Sequence, residues 1–325
     1  MSMPDFQLLR PTTAADAVAM RAANAASRYI AGGTDLLPNI RRGLAEPGVV
    51  IDLGGIAELA HIDFGTDALR IGAGTTLAAI AGDATIRARY TALAEAAEAV
   101  AGPTHRAAAT LGGNLCLDTR CVYYNQSEFW RESNDYCMKL KGEGCRVAKK
   151  SKRCYAAFSG DVAPALIALA AEIEILGPKG SRRVASADFY RDDGMAWLTL
   201  APDELLVGVH VPLHEGWTSA YEKVRVRGAI DFPLAGVAVA LKRKGNAIED
   251  LRIACTGVAS RPLAVDGLAE LKGKPLDAAA LAVITAQTEI AAGAMRTTVV
   301  DMLYRRGVAP VLARRITERL WNAAA

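Results

Sequence analysis

The spacing of hydrophobic positions changes period several times along the chain, and each change marks an element. Residues 12–26 (TTAADAVAMRAANAA) place Ala, Val and Met at helical spacing behind Thr12 and Thr13, either of which can cap the first turn. A short strand, SRYIA, follows, then a glycine-rich turn, GGTDL, and a second strand in GVVIDLGG. Residues 69–74 (LRIGAG) read as a third strand, and 76–89 and 91–101 read as helical. This alternation is an α/β or α+β pattern.

The stretch 116–157 breaks the pattern: it is polar, aromatic and rich in cysteine, with no clean period. Long irregular segments inside compact domains tend to carry function. Order returns at DVAPALIALAAEIEILG, a helical turn running into a strand, and at the strand LLVGVHVP. From about 217 the pattern is antiparallel: AYEKVRVR, then LAGVAVALKRKGNAIEDLRIACTGVAS, with KGN as a hairpin turn. The remainder is mostly helical and ends in a basic amphipathic helix, VAPVLARRITERLW, which suits a solvated surface better than a partner face. The expected division is a first domain over 1–217, with lobes of about 1–57 and 58–217, and an α+β domain over 218–325.

A length of 325 residues suggests two or three lobes, and 51% hydrophobic with 22% charged residues is a globular composition. A net charge of +3 is too small to argue for nucleic acid. No apolar run approaches the roughly 20 residues of a membrane span. The start, MSMPDFQLLRP, has no basic segment followed by an apolar one, so a cytoplasmic location is expected. Six cysteines in such a chain are not expected to be disulfides, yet five of them fall between Cys116 and Cys154.

Two segments have the chemistry to hold a diphosphate. Ala31-Gly32-Gly33-Thr34-Asp35 directly follows a strand, and Ala109-Thr110-Leu111-Gly112-Gly113-Asn114 offers a hydroxyl and an amide around two glycines. Glycines let successive N–H groups turn toward an anion. Each loop could equally be a tight turn between elements, and neither is a G-x-G-x-x-G or a Walker A sequence.

Taken together, YIAGGTDLLPNIRRG and GPTHRAAATLGGNLC closely resemble the flavin-binding medium subunits of the xanthine dehydrogenase and carbon monoxide dehydrogenase family, the molybdenum hydroxylases. The resemblance continues through LRIGAG, DVAPALIALAAEIEI and AYEKVRVRGAIDFPLAGVAVAL, nearly the whole chain. It implies an α+β fold: a two-lobed FAD-binding domain of the vanillyl-alcohol-oxidase/PCMH type, then a C-terminal antiparallel sheet with helices. It also implies FAD contacts from Ala31, Gly32, Gly33, Thr34, Asp35, Thr110, Gly113 and Asn114, with Asp161 closing the second loop region and Lys223 reaching the flavin. Without the family, Asp161 would be a helix N-cap and Lys223 a solvated strand lysine. His105, near the second loop, either lines the flavin site or is an ordinary loop histidine.

Relatives pass from the GGN loop to the matching aspartate within a few residues. Here 46 residues separate Asn114 from Asp161, which leaves an insertion over about 120–158. It holds Cys121, Cys137, Cys145 and Cys154, spaced C-x15-C-x7-C-x8-C, and leaves Cys116 as the odd one out. Four thiolates satisfy one [4Fe–4S] cluster or one structural zinc. The absence of C-x2–4-C knuckles favours the cluster. The insertion also resembles that of the 4-hydroxybenzoyl-CoA reductase branch, whose flavin subunit carries such a cluster.

That branch implies partners: a molybdopterin-binding large subunit and a [2Fe–2S] small subunit in a dimer of heterotrimers, with ferredoxin as electron donor. The insertion's Arg120, Arg131, Lys139, Lys141, Arg146, Lys149, Lys150, Lys152 and Arg153 could steer an acidic ferredoxin or merely be solvated. Tyr123, Tyr124, Phe129, Trp130, Tyr136 and Tyr155 are expected to shield the cluster. Cys255, in an alternating strand, is expected in the core. Nothing in the chain suits a molybdenum cofactor. The rival readings are an oxidising hydroxylase subunit, a stand-alone flavin oxidase and a zinc-stapled binding protein.

Overall fold

A computed structural model describes residues 3–323. The N-terminal lobe is built from β1 (Gln7–Leu9), α1 (Ala14–Ala23), β2 (Arg28–Ile30), α2 (Leu36–Arg41) and β3 (Val49–Asp52). Its three strands pair in parallel in the order β1-β3-β2. Thr13, not Thr12, caps α1, accepting from the Asp16 N–H at 3.0 Å.

The next lobe has a five-stranded sheet. β4 (Ile62–Phe64) and β5 (Ala68–Gly72) form a hairpin, and the helices α3 (Leu77–Gly82), α4 (Ala84–Arg89), α5 (Thr91–Ala99), α6 (Pro103–Ala108) and α7 (Leu111–Leu115) follow. The insertion contributes one short helix, α8 (Glu128–Glu132), and α9 (Val162–Ala168) comes after it. β6 (Glu172–Gly177), β7 (Gly180–Ala185) and β8 (Leu205–Pro212) complete the sheet, in the order β4-β5-β8-β6-β7 with every pair antiparallel. The expected helix over 76–89 is therefore two helices. Asp83 ends α3 and its carboxylate caps α4, accepting from Ile86 N–H at 2.8 Å.

The chain leaves this sheet at Pro212 and enters a four-stranded antiparallel one at Trp217. It comprises β9 (Trp217–Val224), β10 (Ala235–Lys244), β11 (Ala247–Thr256) and β12 (Leu263–Ala264), in the order β12-β11-β10-β9. The β10–β11 turn is Gly245-Asn246, with Gly245 at φ +57°. β9 stops at Val224, three residues short of the expected AYEKVRVR strand, because the chain loops out over 225–232. α10 (Ala278–Ala291) and α11 (Met302–Ala323) cover one face, burying Val237, Val239, Leu241, Ile284, Leu312 and Ile316. Each such side chain contributes about 1.5–3 kcal/mol.

The opposite face of β10 carries Ala238 and Ala240, which pack with Tyr221 against Ala92 and Ala96 of α5 and Ala165 and Ala168 of α9. Small residues on both sides let the two domains approach closely and share a small buried cluster. Among the described residues, no helix is long and apolar enough to cross a membrane.

Candidate functional site

The first glycine loop leaves β2 and turns sharply at Gly33, whose φ of +69° favours glycine. Among the described residues, the N–H groups of Gly32, Gly33, Thr34 and Asp35 donate to no protein acceptor. Gly32 and Thr34 are exposed and Gly33 and Asp35 half-buried, so the loop lies at the surface. Such a nest of free N–H groups suits an anion. The second loop lies directly beside it. A Cβ on Gly32 would stand 1.9 Å from the Ala108 carbonyl oxygen, so only glycine lets the first loop reach the segment that opens the second. Thr110 caps α7 through its hydroxyl, which accepts from Gly113 N–H at 3.1 Å, and Gly113 is exposed at the turn.

Asn114 does not reach into open space with its carbonyl. Its Oδ1 accepts from Val162 N–H at 3.1 Å and so caps α9. Asp161 occupies the N-cap position of α9 without making the expected cap bond. Its carboxylate accepts from the Tyr221 hydroxyl at 2.7 Å and from Lys223 Nζ at 3.0 Å. Lys223 is no solvated lysine: its side chain is 3% exposed, against 4% for Asp161, and it also donates to the Asp231 carbonyl at 3.1 Å. Burial raises the Asp161 carboxyl, and Lys223 and Tyr221 oppose that shift. Burial and the neighbouring Asp161 push the Tyr221 phenol well above 10. Tyr221 was missed in the sequence, although it shares a strand face with Lys223 at a spacing of two. His105 Nδ1, on α6, is buried with no protein partner.

The cysteine segment closes on itself. Arg120 and Ala157 exchange backbone bonds of 2.8 and 2.7 Å at its base. Inside, Cys121, Cys137, Cys145 and Cys154 line one small cavity, with Tyr124 and Lys139 in its wall. Cys116 is elsewhere, packed against the core of the five-stranded sheet, and Cys255 is fully buried in the C-terminal core. Burial pushes the Cys121 thiol up to about 12 and that of Cys154 to about 11, so the bare site disfavours thiolates. Among the described residues, no group of three or more His, Cys, Asp or Glu is arranged to hold a metal ion.

The basic residues of this segment do not act as one set. Arg120, Arg131 and Lys139 are turned inward. Lys139 pairs with Asp118 at 2.8 Å and lies over the rings of Tyr124 and Trp197. Lys149, Lys150 and Lys152 are exposed. The aromatics divide as well. Tyr123 and Tyr124 line the cavity, whereas Phe129 is 79% exposed and shields nothing. Tyr136 binds Glu128 at 2.8 Å, and Tyr155 stacks under Arg153.

Comparison with known proteins gives the same frame. Residues 4–214 match the FAD binding domain in molybdopterin dehydrogenase, and 219–320 match the CO dehydrogenase flavoprotein C-terminal domain. This chain belongs to the FAD-binding subunits of the molybdopterin dehydrogenases. It is 33% identical over 281 residues to the aldehyde oxidoreductase FAD-binding subunit of Escherichia coli, covering 81% of this chain and 85% of that protein. It is 30% identical over 319 residues to the carbon monoxide dehydrogenase medium chain of Afipia carboxidovorans, covering 97% and 96%. A crystal structure of Cu,Mo-CO dehydrogenase superposes with a TM-score of 0.81 at 28% identity, over 100% of both chains. As a member of this family, the chain is an FAD-containing electron-transfer subunit of a molybdenum hydroxylase, with the α+β architecture expected.

Proposed function

We propose that this chain is the flavin and iron–sulfur subunit of a 4-hydroxybenzoyl-CoA reductase-type enzyme, taking electrons from reduced ferredoxin. The observation that carries the reading is the single cavity lined by Cys121, Cys137, Cys145 and Cys154. Four thiols with no C-x2–4-C pair among them suit a cube better than a zinc. Such a cluster supplies one-electron chemistry, and FAD supplies exchange between one- and two-electron carriers.

The residues of the chain have definite tasks in this reading. Ala31 to Asp35, with Thr110, Gly113 and Asn114, would hold the FAD diphosphate, the free N–H row of the first loop facing its charge. Lys223, buried and held by Asp161, would place its positive charge behind the flavin region without contacting the ligand in this arrangement. Tyr123 and Tyr124 keep water from the thiols. The exposed Lys149, Lys150 and Lys152 give the insertion a positive surface suited to an acidic donor.

The chain would work beside a molybdopterin-binding large subunit and a [2Fe–2S] small subunit, as a dimer of heterotrimers in the cytoplasm. There a phenolic hydroxyl leaves as water while the ring carbon gains hydrogen, a change that consumes two electrons and two protons. The first domain would span 1–217 and the second 218–325.

The test is the visible spectrum and iron content of anaerobically purified protein. The expected result is flavin bands on a broad iron–sulfur shoulder with about four irons per chain. Changing any of Cys121, Cys137, Cys145 or Cys154 to Ala should bleach the shoulder and spare the flavin, and Cys116→Ala should leave both. Iron-free protein whose four thiols alkylate freely would overturn the assignment. The relatives, an aldehyde oxidoreductase and a carbon monoxide dehydrogenase by name, favour a second reading, an oxidising hydroxylase. Turnover of the complex with oxidised acceptors but not with reduced viologen would select it.

A further inference from the structure

Arg120 belongs to both candidate sites. Its backbone closes the base of the cysteine segment against Ala157, and Cys121 is the next residue. Its side chain turns the other way, into the first glycine loop. Nη2 donates to Asp35 Oδ1 at 2.8 Å and also to Asn39 Oδ1. Asn39 Nδ2 holds the other oxygen of the same carboxylate at 3.0 Å. Both Asp35 oxygens are therefore engaged, one by the insertion and one by α2. The arginine side chain is 9% exposed and the Asp35 carboxylate 31%, so water reaches the pair from the aspartate side only. Its guanidinium lies 5.8 Å from the ring of Tyr124, which walls the cysteine cavity.

The insertion grips the far end of α2 as well. Arg131, 1% exposed, donates to the Arg42 carbonyl at 3.0 Å, and the Tyr124 hydroxyl reaches the Leu44 carbonyl at 3.4 Å. The six-residue helix that presents the free N–H row is thus held at both ends by the segment that carries the four cysteines.

We infer that Arg120 is the joint coupling the two cofactor sites, so that filling the cysteine cavity strengthens FAD binding. This inference rests on the cluster reading above. The cysteine segment has a small apolar core of its own, with Leu44, Tyr124 and Ala156 among its buried members. Ligation by four thiolates orders such a segment. An ordered segment fixes Arg120, and Arg120 fixes Asp35 and the orientation of the N–H row before FAD arrives. With the cavity empty, part of that ordering has to accompany FAD binding and weakens it. The coupling is reciprocal: bound FAD strengthens retention of the cluster by the same factor.

The experiment measures FAD dissociation constants by flavin fluorescence on the full chain. The chain is used anaerobically, either as purified or after chelation with its thiols kept reduced, and iron is counted in each sample. For the unaltered chain, iron removal should weaken FAD about tenfold, inside the usual range of site–site coupling. Arg120→Gln should bind FAD weakly in both states, with a ratio near one. Arg120→Lys, which keeps the charge but loses the planar fork, should restore part of the ratio. A purely structural role would lower affinity and leave the ratio intact. If Arg120→Gln does not fold, Asn39→Ala gives the same reading at smaller amplitude.

Iron present, with equal FAD affinity before and after its removal, overturns the coupling alone. A tenfold ratio that survives Arg120→Gln overturns the role of Arg120. Iron absent from the untreated chain overturns the cluster reading and the coupling with it.

Discussion

Removing the Lys223 ammonium would leave the Asp161 carboxylate with the Tyr221 hydroxyl alone, deep in a site where both charged side chains are at most 4% exposed. Breaking such a pair from one side costs about 3–5 kcal/mol, because the remaining charge stays buried. Lys223→Met should lower stability by that order in urea unfolding, and adding Asp161→Asn should recover much of the loss. His214 makes a second prediction. Its ring lies between those of Tyr90, at 5.9 Å, and Trp217, at 5.5 Å, and burial holds its imidazole below the ordinary 6.5. The unfolded chain takes a proton as pH falls through 6.5 and the folded chain resists. The stability present above 6.5 is therefore lost as pH drops from there toward the folded value, at up to about 1.4 kcal/mol per pH unit. Comparing urea midpoints at neutral and mildly acid pH should show a shallower acid-side decline for His214→Phe. The residues of the two glycine loops and the four cysteines could be read from sequence because each carries a local chemical pattern. Arg120 could not: its partner Asp35 is 85 positions away, and an arginine beside a cysteine gives no hint of that reach.

Among the elements, β10 shows what patterning reveals. Its run A-G-V-A-V-A-L alternates small with branched side chains. The structure gives each set its own face, Ala235, the valines and Leu241 to the helices and Ala238 and Ala240 to the other domain. Strands of this kind are buried on both sides and stand out in a sequence. β7 was missed for the opposite reason. Gly180–Ala185 is an edge strand whose residues are nearly all exposed and include Arg182 and Arg183, the polar composition that protects an edge. The cysteine segment gave no periodic signal because hydrogen bonds hold it. Arg131, Lys139 and Arg146 bind backbone carbonyls there, with one short apolar cluster beneath.

For the whole molecule, the alanine seam between α5, α9 and β10 joins the two domains through core, not through a wet interface. Further ties cross it. Phe158 N–H donates to the Ala259 carbonyl at 2.9 Å, and Gly257 N–H donates to the Phe158 carbonyl at 2.9 Å. The two domains should therefore melt as one unit, with calorimetric and van't Hoff enthalpies agreeing. Two resolved transitions by scanning calorimetry would show the seam to be weak. The paired bonds between Arg120 and Ala157 have a different consequence. The roughly forty residues between them start and finish at neighbouring points on a finished frame, where acquiring or shedding a long excursion carries only a modest loop-closure cost. An ancestral flavin carrier could have gained its thiolate pouch in a single genetic event, with the surrounding sheets undisturbed.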